Sequence, residues 1–190
     1  VDREVDLFNL LVLPPDDPDA IPQIAFTDLW GPASVFCQKR RALLLMDAPR
    51  IWDTAQKAMQ GVPALRTGLV KDHAALYYPR LVVNDQGRRV SVGPSGAIAG
   101  LMARIDTTRG VWKAPAGTEA DLRGVVGLER SFSDDENGLL NPRAINTLRT
   151  FPQGVVCWGA RTMDGDDDFG SEYKYVPIRR LALYLEESLY

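Results

Sequence analysis

Short apolar runs alternate along this chain with longer amphipathic stretches, the pattern of an α/β layer architecture. The runs Leu7–Leu13, Leu43–Asp47 and Val155–Trp158 are apolar without alternation, which predicts strands covered on both faces. Further strands are predicted at Ala74–Tyr78, Val90–Val92 and Gly124–Leu128, and Asp85-Gln86-Gly87 predicts a hairpin turn joining Leu81–Val83 to Val90–Val92. Helices are predicted over Ala48–Gly61, where Pro49 opens a face of Ile51, Ala55, Ala58 and Met59, and over Pro94–Ile105, which presents Ile98, Leu101, Met102 and Ile105. A third covers Pro142–Phe151 with Ala144, Leu148 and Phe151. A last one follows Pro177 and spaces Ile178, Leu181, Ala182, Leu185 and Leu189 at helical intervals. Ser133 with Glu136 three residues on reads as a capping box. Pro14–Pro22 and Met163–Tyr173 read as polar loops. The predicted fold class is therefore α/β, with a mixed, largely parallel sheet flanked by helices, in one domain over residues 1–190.

Composition narrows this picture. With 190 residues, 45% hydrophobic and 25% charged, the chain has the makeup of a globular domain, not of a disordered or fibrous one. Its 22 basic and 25 acidic residues give a net charge of -3, without the clustered cationic surplus that phosphate neutralisation needs, so no nucleic-acid partner is expected. No apolar run approaches the roughly 20 residues of a membrane span, so no membrane insertion is expected. Cys37 and Cys157 form no CxxC pair and are expected as buried, reduced thiols. Val1 leads almost at once into an apolar run and Tyr190 ends inside a helical pattern, which reads as a piece of a longer subunit.

Candidate chemistry fails motif by motif. Gly93-Pro94-Ser95-Gly96-Ala97-Ile98-Ala99-Gly100 precedes a helix, but its spacing is not GxGxxG, no P-loop lysine follows, and Pro94 removes a backbone donor. Neither Ser34 nor Ser95 sits in GxSxG, and the one histidine, His73, would have to serve any triad alone. Counting from Asp164, the acidic run Asp164-Gly165-Asp166-Asp167-Asp168 has Phe169 and Tyr175 where an EF-hand loop wants Gly and Glu, so it reads as solvated acid. Trp30, Trp52, Trp112 and Trp158 are scattered among acidic as well as basic residues, and packing is their expected role. No catalytic residue, metal site or cofactor is expected.

Four stretches in the second half do form an ordered set. HAALYYPRLVV with GPSGAIAGLMARID comes first, then DTTRGVWKAPAG at 106–117, GLLNPRAINTLRTFPQGVVCWGARTM at 138–163 and YVPIRRLALYLEESLY at 175–190. In this order they resemble the tail sheath protein of contractile bacteriophage tails and of related tailocins (R-type pyocins). The match runs over residues 73–190 and extends to the strand and helix at 43–60.

The resemblance implies a subtilisin-like topology, a name that concerns fold and implies no protease activity. It also implies a structural subunit that polymerises in stacked six-membered rings around a tail tube protein and contracts to drive the tube through a host envelope. Its place would be the virion tail, and the host cytoplasm during assembly. The residues that carry the motifs, and so become structural or assembly candidates, are Arg104, Asp106, Arg109, Trp112, Lys113, Asn141, Arg149, Trp158, Arg161, Arg179 and Arg180. Each could order loops inside the domain or meet a neighbouring subunit, with the internal role favoured for any one of them. Trp112 and Trp158 are expected as core or loop anchors. Isolated, the fragment is expected to be monomeric or weakly associating. The rival readings are a hydrolase with a subtilisin-like or nucleotide-binding core, and a sheath subunit of a secretion system.

Overall fold

The computed structural model describes residues 4–14, 24–165 and 171–190. In chain order the elements are β1 (Leu10–Val12), α1 (Ile24–Lys39), β2 (Leu43–Asp47), α2 (Ala55–Arg66), β3 (Ala74–Tyr78), β4 (Leu81–Asp85), β5 (Arg88–Val92) and α3 (Ser95–Thr108). They continue as β6 (Val125–Leu128), α4 (Asp134–Leu140), β7 (Ile145–Phe151), β8 (Gly154–Cys157) and α5 (Val176–Ser188).

Alternate residues of the central strands point into two separate cores. Leu44 and Met46 of β2, with Ala74, Leu76 and Tyr78 of β3, pack under α1 and α2 with Trp52, Phe132 and Leu140. Leu43 and Leu45, with Ala75 and Tyr77, pack on the other face against α3, Leu148 and Val176. Burial on both sides is why these strands are apolar at every position before Asp47 in β2 and throughout β3. The five-stranded sheet has the order β1-β2-β3-β7-β8, parallel as far as β7, with β8 antiparallel at the edge. The expected mixed, largely parallel sheet flanked by helices is what forms.

A second, three-stranded antiparallel sheet of order β5-β4-β6 stands beside it, and its hairpin turn is the one expected at Asp85-Gln86-Gly87. Gln86 and Gly87 both have positive φ, 47° and 85°, the backbone that a tight two-residue hairpin loop requires.

Several expectations about local structure need correction. The helix expected over Pro142–Phe151 is instead the strand β7, in which Ile145 to Thr147 pair with β3 and Leu148 to Phe151 pair with β8. Ala144, Leu148 and Phe151 do fall at helical spacing, but the same segment holds Ile145, Thr147 and Thr150, β-branched residues that a pleated ladder accommodates better. The helix expected from Pro49 begins at Ala55, because the Thr54 hydroxyl caps it by accepting from Lys57 N at 3.2 Å. Ile51 is left 64% exposed instead of in a core.

α1 occupies a stretch with no expected element. Gly31 and Pro32 interrupt its pattern, yet Trp30, Ser34 and Cys37 are buried at i, i+4 and i+7. The run Leu7–Leu13 shortens to the three residues of β1. The capping box forms as expected, with Glu136 N donating to Ser133 Oγ at 3.1 Å and Ser133 N to Glu136 Oε2 at 2.9 Å.

α5 is a helix where one was expected, but it buries Val176, Arg179, Arg180 and Leu183, whereas Ile178, Leu185 and Leu189 are exposed. The face that goes inward is chosen by what its two guanidinium groups can bond.

Candidate functional site

The sequence-nominated residues fall into several small polar clusters, most of which tie one element to another. On α3, Asp106 meets Arg180 of α5 in a two-pronged ion pair, Arg180 Nη1 donating to Oδ1 at 2.9 Å and Nη2 to Oδ2 at 2.5 Å. Arg104 reaches Asp121 in the loop before β6, with 2.8 Å to Oδ1 and 2.5 Å to the backbone carbonyl. Such paired forks fix orientation as well as charge.

Beyond the end of α3, Arg109 and Lys113 share Glu119 at 3.0 and 3.5 Å. The charges of Arg109 and then Lys113 hold the Glu119 carboxyl below its ordinary range. Trp112 is 58% exposed, so it is no core anchor; its ring lies over Gly110, where a Cβ would stand 2.5 Å from Nε1. Gly110 also has a φ of 103°, so both the turn and the ring above it call for glycine.

Arg149 of β7 bonds Asp134 at 2.5 Å and lies over the rings of Phe151 and Trp158, which are 4.8 Å apart. Trp158 is half-buried in this stack, as a loop anchor. Arg161 donates to Asn141 Oδ1 and to the carbonyl of Gly165, each at 2.8 Å. Buried Arg179 of α5 donates to His73 Nε2 at 2.7 Å, stands 3.3 Å from Asp72 and lies over the Tyr173 ring. Burial pushes the Asp72 carboxyl up, but the hydrogen bond from His73 and the charge of Arg179 outweigh it, leaving Asp72 below its ordinary 3.8.

A carboxylate held low in the fold stabilises it above the unfolded pKa, and that contribution is lost as the pH falls through the folded value. Urea titrations are therefore expected to show stability that declines as the pH drops below about 3.8, and a smaller decline in Asp72→Asn.

Sequence reading nominated one side of most of these contacts and missed the other: Asp121, Glu119, Asp134, Asp72 and His73. It also missed Asn146, fully buried in β7, which donates to the carbonyls of Leu76 and Arg161 and accepts from Arg161 N at 2.7 Å. No signal in the sequence joins residues that lie so far apart along it.

Ligands of open α/β sheets bind outside the carboxyl ends of the strands. Here Asp47, the last residue of β2, fills that position itself. It accepts from Ser95 N at 2.7 Å and Ser95 Oγ at 2.8 Å, capping the N-terminus of α3. Burial raises its pKa, against the Ser95 hydrogen bonds and the charge of Arg80. A Cβ at Gly93 would stand 2.2 Å from Asp47 Oδ2, so the glycine ahead of α3 makes room for the protein's own carboxylate.

Neither candidate serine bonds His73: Ser95 serves Asp47, while Ser34 donates to Gly31 O and accepts from Val70 N. Cys37 and Cys157 are buried free thiols, each pushed up to about 12 by burial. Among the described residues no group of three His, Cys, Asp or Glu could hold a metal ion, and no helix is long and apolar enough to cross a membrane. Asp166 to Asp168 of the acidic run lie outside the described residues, while Asp164 accepts from Ser171 Oγ at 2.7 Å.

What the surface offers instead is apolar. A groove of about 380 Å³ runs between the lead-in to β1 and α5, with Leu7, Phe8, Val111, Leu183 and Tyr184 as its apolar lining and Asn9, Arg41, Arg180, Glu187 and Ser188 as its polar one. Ile178, Leu185 and Trp112 are exposed as well.

Comparison with known proteins fits this layout. Residues 51–163 match the family described as phage tail sheath protein central domain. Across 99% of its length the chain is 31% identical to a chain of the anti-feeding prophage baseplate, with a TM-score of 0.75 and 46% of that chain covered. It is 30% identical to a chain of the contracted sheath complex of an extracellular contractile injection system (PVC), with a TM-score of 0.74, 99% of this chain covered and 48% of that one. A sheath tail protein from Desulfitobacterium hafniense shares the fold at 10% identity, with a TM-score of 0.65, 99% of this chain covered and 40% of that one. The chain thus spans about half the length, or less, of the solved chains it matches. Comparison with curated protein sequences gives no match.

Proposed function

Because the chain belongs to the phage tail sheath family, we propose that it is part of a structural subunit of a contractile sheath. In this reading the subunit polymerises with its own kind in stacked six-membered rings around a tail tube protein. It works by changing lattice and turns over no substrate. The observation that carries the reading is identity of about a third, across nearly the whole chain, to chains of contractile injection particles.

The physical layout supports it. The candidate arginines are engaged with partners inside the chain, which stiffens the body that a lattice switch must move as a unit. The crevice at the sheet's carboxyl ends is occupied by Asp47. Apolar side chains stand exposed along α5 and at Trp112, available for contacts between different patches of neighbouring copies, the geometry that builds helical arrays.

The specific second reading is a sheath of an injection system instead of a phage tail. The identities of 30 to 32% are to particles of that kind, while the Desulfitobacterium hafniense sheath tail protein stands at 10%. Either way the subunit would reside in the tail or injection particle, with assembly in the producing cell's cytoplasm.

Electron microscopy of the complete subunit produced with its tube protein is expected to show regular tubes or contracted sheaths. Dispersed particles that hydrolyse a peptide or a nucleotide would overturn the proposal in favour of a hydrolase. The 190-residue chain alone is expected to scatter light as a monomer.

A further inference from the structure

The chain's one histidine is buried, 2% exposed, and both of its ring nitrogens bond charged neighbours. Guanidinium groups only donate, so Arg179 Nη2, 2.7 Å from His73 Nε2, requires that nitrogen to be an unprotonated acceptor. The ring's proton then sits on Nδ1, which donates to Asp72 Oδ1 at 2.9 Å. We propose that His73 is a proton-operated latch on α5, closed when the imidazole is neutral and opened when Nε2 takes up a proton.

The groups around the latch decide which part moves. Asp72, from the same short turn (Lys71–His73), keeps its bond to Nδ1–H in either state of the ring. Arg179 does not keep its own: a proton on Nε2 sets two donors and two positive charges face to face at a separation of 2.7 Å, with His73 only 2% and Arg179 only 7% exposed. A second seat for the guanidinium already exists, since Glu186, two turns along α5 and facing solvent, lies 3.7 Å from Arg179 Nη1. Tyr173 stacks on the guanidinium from the turn Glu172–Lys174 and carries no charge to oppose the shift. α1, packed on the same turn as His73, contributes the Ser34 hydroxyl, which accepts from Val70 N. On protonation Arg179 Nη2 therefore leaves His73 and the guanidinium tilts toward Glu186, while Asp72 stays 3.3 Å from Nε, so the first turns of α5 lose one of their two ties to the turn Lys71–His73.

Because the chain holds one histidine, a long-range proton–nitrogen NMR spectrum reports this ring alone. At pH 7.5 the proton is expected on Nδ1. Between pH 7.5 and 5.5, hydrogen exchange of residues 176–188, corrected for its intrinsic pH dependence, is expected to rise several-fold relative to that of β3. His73→Gln can accept from Arg179 and donate to Asp72 but cannot titrate, so its α5 is expected to exchange alike at both values. A proton on Nε2 at pH 7.5, or an α5 that responds to pH no more than β3 does, would overturn the proposal, and both readouts come from the native chain even if the variant does not fold. A pH response retained in folded His73→Gln would overturn it equally.

Discussion

Asp106→Ala is expected to destabilise the chain by about 3–4 kcal/mol, because it leaves Arg180, 4% exposed, as a buried cation without its anion. For a domain of this size that corresponds to a fall in Tm of roughly 10 °C. The reverse deletion, Arg180→Ala, is expected to cost less, since the Asp106 carboxylate keeps 26% of its side-chain surface and can be hydrated where it stands. Asp106→Ala combined with Arg180→Met removes the orphaned charge and fills its volume, and most of the loss is expected to return. Thermal unfolding of the three variants against the parent checks this. Equal losses in both single variants, with no recovery in the double, would show that the α3–α5 seam is held by packing and not by the ion pair.

Gly159→Ala is expected to cost about 3 kcal/mol by overpacking. A Cβ there would stand 2.7 Å from the Cα of Asn146 and 2.8 Å from its Oδ1, so a backbone atom of β7, not a pliant side-chain tip, is in the way. Giving way would shift the strand whose Asn146 links the carbonyls of Leu76 and Arg161, so hydrogen bonds are strained with the packing. Gly96→Ala, placed in α3 with open space around it, is the control and is expected to gain about 0.5 kcal/mol. Urea midpoints with unchanged slopes read both. A midpoint for Gly159→Ala within error of the parent would mean that the 158–161 loop can retreat from β7 at no cost.

How far such features were legible in the sequence depended on whether their cause was local. β2 and β3 could be read because burial on both faces forces an unbroken apolar run, ended in β2 only by Asp47. The capping box at Ser133 and Glu136 could be read because all of its partners lie within three residues. β7 could not: Ala144, Leu148 and Phe151 satisfy a helical period, and only the presence of β3 and β8 on either side makes the strand the better solution.

The inward face of α5 was hidden for a related reason. Arginine is ordinarily placed outward, and what admits Arg180 to the interior is Asp106, 74 positions earlier. The candidate arginines themselves stood out through the resemblance their motifs carry. Apart from Asp106, their main anionic partners did not, since Asp72, Glu119, Asp121 and Asp134 lie outside the motif stretches.

The strand order has a bearing on how the chain reaches its native state. β3 and β7 are neighbours in the middle of the main sheet, yet residues 79–144 lie between them, including the whole of the smaller sheet, α3 and α4. Bringing their ends together carries the entropy cost of a long closure, whereas the β4–β5 hairpin closes over two residues. The intervening excursion can therefore organise first and act as a clasp that delivers β7 to β3, so that completion of the central sheet, and with it the seating of α5 beneath Asp106, falls late in folding.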